Sequence, residues 1–320
     1  MKKLILLFIT LFLVTGCYNY HDLNELGIAS SILIDYTDQF EVTVEILEDE
    51  KSETYKGSGK TLDNAFNNII LGTERDLYYN HLDAIILTEN VNVKDIISYF
   101  MRNPEVNNTF YLVITETTDI YKEDKFGKTL SNILKRDNMS NFFDITQTLF
   151  EENQDMAIPY LNRQLKIESI AAYDEQSIAF NLSLEEIDIY KLLTNNTGSN
   201  IVTSYEGENV EIKVNEITTK YKLNDEIKIA IELEASLVEI DQTIDTSNLD
   251  TIAKIEESLN KEIVKQTATF IDKLKDTKSD ILGIDKMLYN KFHNLLKTFE
   301  DYNYEIEVKT HINKKGLLLK

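Results

Sequence analysis

From Ile227 onward every second side chain is apolar, through Ile229, Ile231, Leu233, Ala235 and Leu237, and the positions between are largely Lys and Glu. Successive side chains of a strand point to opposite faces, so this run predicts a long strand with one dry face and one wet face. The dry face needs a cover. Ile252, Ile255, Leu259, Ile263, Phe270 and Leu274 follow as one stripe at helical spacing, and Ile284, Met287, Leu288, Phe292, Leu295 and Phe299 form a second. Val210, Ile212 and Val214 alternate upstream and "YEIEVKTHI" alternates downstream. The C-terminal part should therefore be an antiparallel sheet with long helices packed on one face.

The N-terminal part reads as alternating strands and helices. "IASSILIDY" and "FEVTVEIL", separated by "TDQ", predict a hairpin. The polar "EDEKSETYKGSGK" is a loop in this reading. "TLDNAFNNIILG" then places Leu62, Phe66, Ile69 and Ile70 on a helix, with Thr61 as N-cap and Gly72 as its stop. "HLDAIILT" predicts a strand, "NVKDIISYFMRN" a helix and "TFYLVITE" another strand. Beyond Glu123 come two short amphipathic helices, "GKTLSNILKRD" and "NFFDITQTLFEEN", and the strands "LKIESIAAYD" and "SIAFNLS". The polar "TNNTGSN" is the best linker. The expected fold class is α+β in three mixed α/β units, spanning residues 17–122, 123–197 and 198–320.

Residues 1–16 read as a signal peptide. Lys2 and Lys3 precede an apolar run from Leu4 to Val14 that is short for a mature membrane span, and Val14, Thr15 and Gly16 lead into Cys17, the chain's one cysteine. Small or branched residues directly before a cysteine are what a bacterial lipoprotein signal peptidase accepts, so Cys17 is the expected first mature residue and site of lipid attachment. A diacylglyceryl group brings two chains, where one gives only marginal binding. The chain should then sit on the outer face of the cell membrane. Its formal net charge of −22 becomes −24 once the two lysines leave with the signal, which argues against nucleic acid and against electrostatic attraction to anionic headgroups.

The sequence offers no catalytic constellation. "KGSGKT" (56–61) ends as a phosphate-binding loop does, but Thr54 stands where the first glycine belongs, and the better reading is a solvated loop leading to a helix cap. His21, His81, His293 and His311 show no metal-ligand spacing. No metal and no cofactor are expected. Around "FMRNPEV", Pro104 should end the preceding helix and hold Asn103 extended, presenting Arg102 and Glu105 on a helix-to-strand turn. Arg102 then either contacts a partner or pairs with a nearby acid to fix that turn.

Blocks spread in order along the chain resemble the Ger(x)C family, the lipoprotein C subunits of nutrient receptors in spore-forming bacteria. They are "GCYNYHDLNELGIASSILID", "GKTLDNAFNNI", "RDLYYNHLDAIILTENV", "FMRNPEVNNTFYLVIT", "IAAYDEQSIAFNLSLEEIDIYKLLTN", "DILGIDKML" and "INKKGLL". Gly16, Cys17, Glu25, Leu26, Ile34, Asp35, His81, Arg102, Pro104, Glu105 and Val106 match the family pattern; Tyr18 replaces its usual Trp, Asn103 its usual Asp, and Ile284-Asp285 its usual Phe-Gly. The resemblance implies a three-domain α+β subunit on the outer face of the spore's inner membrane, acting with integral membrane A and B subunits in germinant sensing, in receptor assembly or signalling. The alternative is an extracytoplasmic solute-binding lipoprotein of an importer, which should show two similar βαβ-rich lobes.

Overall fold

The computed structural model describes residues 26–48, 51–103, 105–150, 154–173, 177–240, 244–293 and 297–314. Strands β1 (Leu26–Tyr36) and β2 (Phe40–Leu47) form the expected hairpin, and β3 (Ser52–Gly59) extends it on the far side of β2. The residues of β3 show no apolar alternation, which is why the sequence reads there as a loop. Its covered side is made by glycine instead. A Cβ on Gly57 would stand 2.3 Å from the Ala65 carbonyl oxygen, and one on Gly59 2.6 Å from the Ala65 amide nitrogen, so helix α1 (Leu62–Ile70) lies directly on the strand backbone.

β4 (Asp76–Tyr78), β5 (Ala84–Thr88), α2 (Val93–Met101), β6 (Tyr111–Thr115), α3 (Phe126–Arg136), α4 (Phe142–Phe150), β7 (Met156–Leu161), β8 (Ile167–Tyr173) and β9 (Ile178–Leu182) complete a sheet of nine strands. Its order is β3-β2-β1-β5-β6-β7-β8-β9, with β4 beside the start of β1. β1, β5, β6 and β7 are mutually parallel, and parallel strands are stable only when both faces are covered. That explains the unbroken apolar runs of β5 and β6. Ile32, Ile34, Ile85, Leu87, Leu112 and Ile114 face a core shared with α1, α2 and Phe142 and Ile145 of α4. Leu33, Ala84, Ile86, Val113 and Leu161 face Phe126, Leu130 and Leu134 of α3.

The sheets do not break where the expected units do. Residue 123 falls inside the first sheet, because β7 pairs with β6 through Ile114–Tyr160 and Thr115–Leu161 and carries β8 and β9 with it. Pro159 breaks the strand signal of β7; it stands opposite Ile170 of β8 and just before the pairing with β6 begins. Helix α5 (Leu184–Leu193) follows, starting at the capping box Ser183–Glu186, and packs Ile187, Ile189, Leu192 and Leu193 into the C-terminal core.

The second sheet is β10 (Asn200–Tyr205), β11 (Glu208–Leu223), β12 (Ile227–Ile240) and β13 (Tyr304–Lys314), in that order. The apolar side of β12 meets the stripe Ile252, Ile255, Leu259, Ile263, Phe270 and Leu274 of α6 (Leu249–Thr277), and α7 (Ile284–Phe292) adds Ile284 and Leu288. Three strands are antiparallel as expected; β13 joins β12 in parallel. The reason is α6, whose 29 residues run ~43 Å back beside the 14-residue, ~46 Å β12, so that the chain re-enters the sheet at the end where β12 began. The outer edge of β13 is partly closed by the same helix. Asn260 Oδ1 accepts from the Thr310 amide at 2.9 Å and Glu256 Oε1 from that of Ile312 at 2.8 Å, which shields an edge otherwise open to strand pairing.

Candidate functional site

Helix α2 begins at Asn92, whose Oδ1 accepts from the Asp95 amide, and ends at Met101 with Arg102 as its C-cap. The Arg102 amide donates to the Tyr99 carbonyl at 3.2 Å and the Asn103 amide to that of Phe100 at 3.1 Å. Asn103 Oδ1 then accepts from the Glu105 amide at 3.0 Å, closing a turn that drops Val106 into the core. Phe110 follows, buried and stacked on Phe142 at 4.3 Å. The turn is thus pinned by its own backbone and by Val106 and Phe110. Arg102 and Glu105 both stand exposed, and the Arg102 guanidinium makes no ion pair among the described residues. Pro104 and Cys17 lie outside the described residues.

The "GSGKT" segment is placed differently from a phosphate cradle. Gly57 and Gly59 pair with Val42 and Phe40 inside the β2–β3 ladder, and Thr61 Oγ1 caps α1 by accepting from the Asn64 amide at 3.2 Å. Lys60 points into solvent. His81 lies against the Tyr78 ring at 5.9 Å, and His311 is 3.6 Å from Glu256. Among the described residues no group of three or more His, Cys, Asp or Glu side chains is placed to hold a metal ion.

Two buried acidic nodes escape the sequence reading. Glu45 of β2 is fully buried: its Oε1 accepts from Ser52 Oγ at 2.9 Å and the Phe126 amide at 2.7 Å, and its Oε2 from Ser31 Oγ and the Gly127 amide, both at 2.9 Å. This carboxylate replaces an N-cap side chain for α3, whose N-cap residue is Lys125 in the left-handed region without a side-chain cap. Gly127 permits the approach, since a Cβ there would lie 2.6 Å from Ser31 Cβ.

The second node ties the two sheets together. Asp155, just before β7, accepts at Oδ2 from the Asp280 amide at 2.8 Å and returns its own amide to the Asp280 carbonyl at 3.1 Å. Asp280 Oδ2 accepts from the Asp285 amide at 2.7 Å, and Asp285 Oδ1 from the Phe299 amide at 2.5 Å. Among the described residues Asp280 Oδ1 is buried without a partner. Burial pushes the Asp280 carboxyl up to about 7 and that of Asp285 up to about 6, against the backbone amides that favour their charged forms. The signal in the sequence was "DILGIDKML", where two acids flank apolar residues.

The chain matches two family models in tandem, "Spore germination protein N-terminal domain" over residues 19–163 and "Spore germination B3/GerAC like, C-terminal" over residues 169–316. It belongs to the Ger(x)C family of spore germination proteins. Among Ger(x)C proteins, it is 24% identical to the spore germination protein GerQC of Bacillus cereus, with 74% of each chain covered. Its fold resembles the crystal structure of the GerBC protein at a TM-score of 0.55 and 15% identity, over 88% of this chain and 97% of that one. The family models meet between residues 163 and 169, between β7 and β8 and inside the first sheet.

Proposed function

We propose that this Ger(x)C chain is the lipid-anchored C subunit of a spore nutrient germinant receptor. A diacylglyceryl group on Cys17 holds it on the outer face of the cell membrane, in the spore the inner membrane, where it works with integral membrane A and B subunits in receptor assembly or signalling rather than in catalysis. The observation that carries this reading is the tandem family match from residue 19 to residue 316 behind a cysteine preceded by a short apolar run. No described helix is long and apolar enough to cross a membrane. The Arg102–Glu105 turn is the proposed contact with the membrane subunits: it is held rigid from within while both charges stay available.

Replacement by Cys17→Ala in the sporulating cell tests the reading. Germination on nutrients should be lost, the protein should leave the membrane fraction, and recovery of the A and B subunits with it should fall. Normal germination with a soluble Cys17→Ala protein would overturn the anchoring role; intact-mass analysis of the mature wild-type chain reads the lipid directly.

A further inference from the structure

At the seam between the first sheet and the C-terminal unit, two segments 125 residues apart exchange hydrogen bonds: the Asp280 amide donates to Asp155 Oδ2 and the Asp155 amide to the Asp280 carbonyl. Asp155 leads into β7, and Asp280 lies in the turn between α6 and α7, where Ser279, Ile281 and Leu282 are buried with it. Gln154 packs on the same turn, since a Cβ on Gly283 would stand 2.8 Å from Gln154 Cδ. The rest of the seam is of another kind. Ile170 and Ala172 of β8 and Leu182 of β9 share one core with Ile187 and Leu192 of α5 and with the C-terminal sheet. Beside that core, Lys273 of α6 bridges to Glu186 at 2.8 Å and donates to the Asn181 carbonyl at 3.4 Å. Against the cost of burial, Lys273 and Ser183 hold the Glu186 carboxyl below its usual value, so this side of the seam keeps its charges at neutral pH.

The Asp280 side has no such balance. Asp155 faces Asp280 from the segment before β7, Asp285 from α7, Tyr221 from β11 and Tyr304 from β13, while Glu300 and Asp301, in the turn before β13, lie near Asp285. Lys275 of α6 gives its Nζ to the Tyr302 carbonyl at 3.0 Å, over the Tyr304 ring at 5.5 Å. Asp280 and Asp285 make no ion pair among the described residues. Burial outweighs the amides of Asp285 and Ile284 and, with the charges of Asp285 and Asp155, pushes the Asp280 carboxyl up to about 7. A charge on Asp280 would leave one buried oxygen without a donor among the described residues and would face Asp155, whose own carboxylate holds the Asp280 amide. The repulsion acts on the two hydrogen bonds that join the segments.

We propose that Asp155, Asp280 and Asp285 are a proton-operated latch between the first sheet and the C-terminal unit: it is shut while Asp280 is neutral, and ionisation of Asp280 parts residues 154–155 from the turn at 279–285 while the apolar side of the seam stays packed. The first sheet carries the Arg102 turn, so the latch makes the placement of that turn relative to the C-terminal unit depend on the pH of the medium. Ionisation favours the open form, so the opening constant rises by up to about tenfold per pH unit between the ordinary carboxyl value of about 4 and the latched value of about 7, then levels off.

Hydrogen exchange of the full mature chain, resolved to single amides between about pH 5 and about pH 8 and divided by the intrinsic rate at each pH, tests the latch. Opening at the amides of Asp155, Asp280 and Asp285 should rise at least ~10-fold from about pH 5 to about pH 7 and then hold level, with Leu87 and Ile114 in the centre of the first sheet better protected throughout. Asp280→Asn, whose carboxamide oxygen still accepts from the Asp285 amide, should abolish the rise. Spin labels at Gln147→Cys in α4 and Asp276→Cys in α6, both exposed positions, should show a longer or broader distance distribution at the higher pH. Opening that does not vary with pH, or a rise that survives in Asp280→Asn, would overturn the latch. Latch amides that exchange at the same rate as Leu87 and Ile114 would overturn it in favour of global unfolding, and so would a label distance unchanged by pH while the latch amides open. The exchange and distance measurements with Asp280 in place decide the matter even where Asp280→Asn does not fold.

Discussion

Glu45 is the position where a one-atom change should have the largest effect. Its two oxygens each receive one serine hydroxyl and one backbone N–H of the first turn of α3. In Glu45→Gln one oxygen becomes an NH₂ group. The serine on that side can rotate and accept, but the amide of Phe126 or Gly127 cannot, so one buried N–H is left facing another donor. Losing a hydrogen bond to a charged group costs about 1.5–3 kcal/mol, and removing the negative charge from a partly buried helix N-terminus adds up to about 2 kcal/mol. The expected destabilisation is thus about 1.5–5 kcal/mol, a fall in Tm of at least about 3 °C for a chain of this size. Circular dichroism melts of the purified mature chain measure it, with Glu41→Gln as the control because Glu41 is exposed on the same strand. A Glu45→Gln protein melting within about 2 °C of the Glu41→Gln control would show that the carboxylate does not hold α3.

The Asp280–Asp285 node makes stability depend on pH. A carboxyl whose folded pKa lies above its unfolded value gives stability that is complete below the unfolded pKa and lost as pH rises through the folded one, here through about 6 and about 7. The wild-type urea midpoint should therefore fall between about pH 4 and about pH 7. Asp280→Asn should flatten that fall, worth up to about 1.4 kcal/mol per pH unit for one proton, because the carboxamide does not titrate while its oxygen can still accept from the Asp285 amide. Gly57→Ala should cost about 1–3 kcal/mol or more by driving a methyl into α1, while Lys60→Ala leaves urea midpoints unchanged and calorimetric titration with magnesium ATP gives no saturable heat. Arg102→Ala should change stability by less than about 0.5 kcal/mol yet lower nutrient germination and recovery of the membrane subunits; a large fall in Tm would assign the residue to the fold instead.

Elements whose partner is water or a single helix were legible in the sequence. The alternation in β12, the stripe on α6, Thr61 as the N-cap of α1 and the end of α2 before residue 104 are each written in local spacing, because in each case one apolar face and one solvated face leave a periodic trace. β3 and β7 left none. The first buries glycine backbone rather than apolar side chains, and the second carries Pro159.

By itself the sequence determined the family, the α+β character, the long helix covering one face of the last sheet, and the place of Cys17 and of the Arg102 turn along the chain. These follow from short-range patterns and from blocks in order. Only the tertiary structure decided that β7 to β9 continue the first sheet, that β13 runs parallel to β12, and that Glu45 is buried under α3 rather than left on a solvated face as its alternation with Val44 and Ile46 implies. The reason is the same in each case: a residue's neighbours across a sheet or under a helix lie tens of residues away, as Phe126 and Gly127 do from Glu45, and no local spacing records which of two polar-looking faces another element will cover.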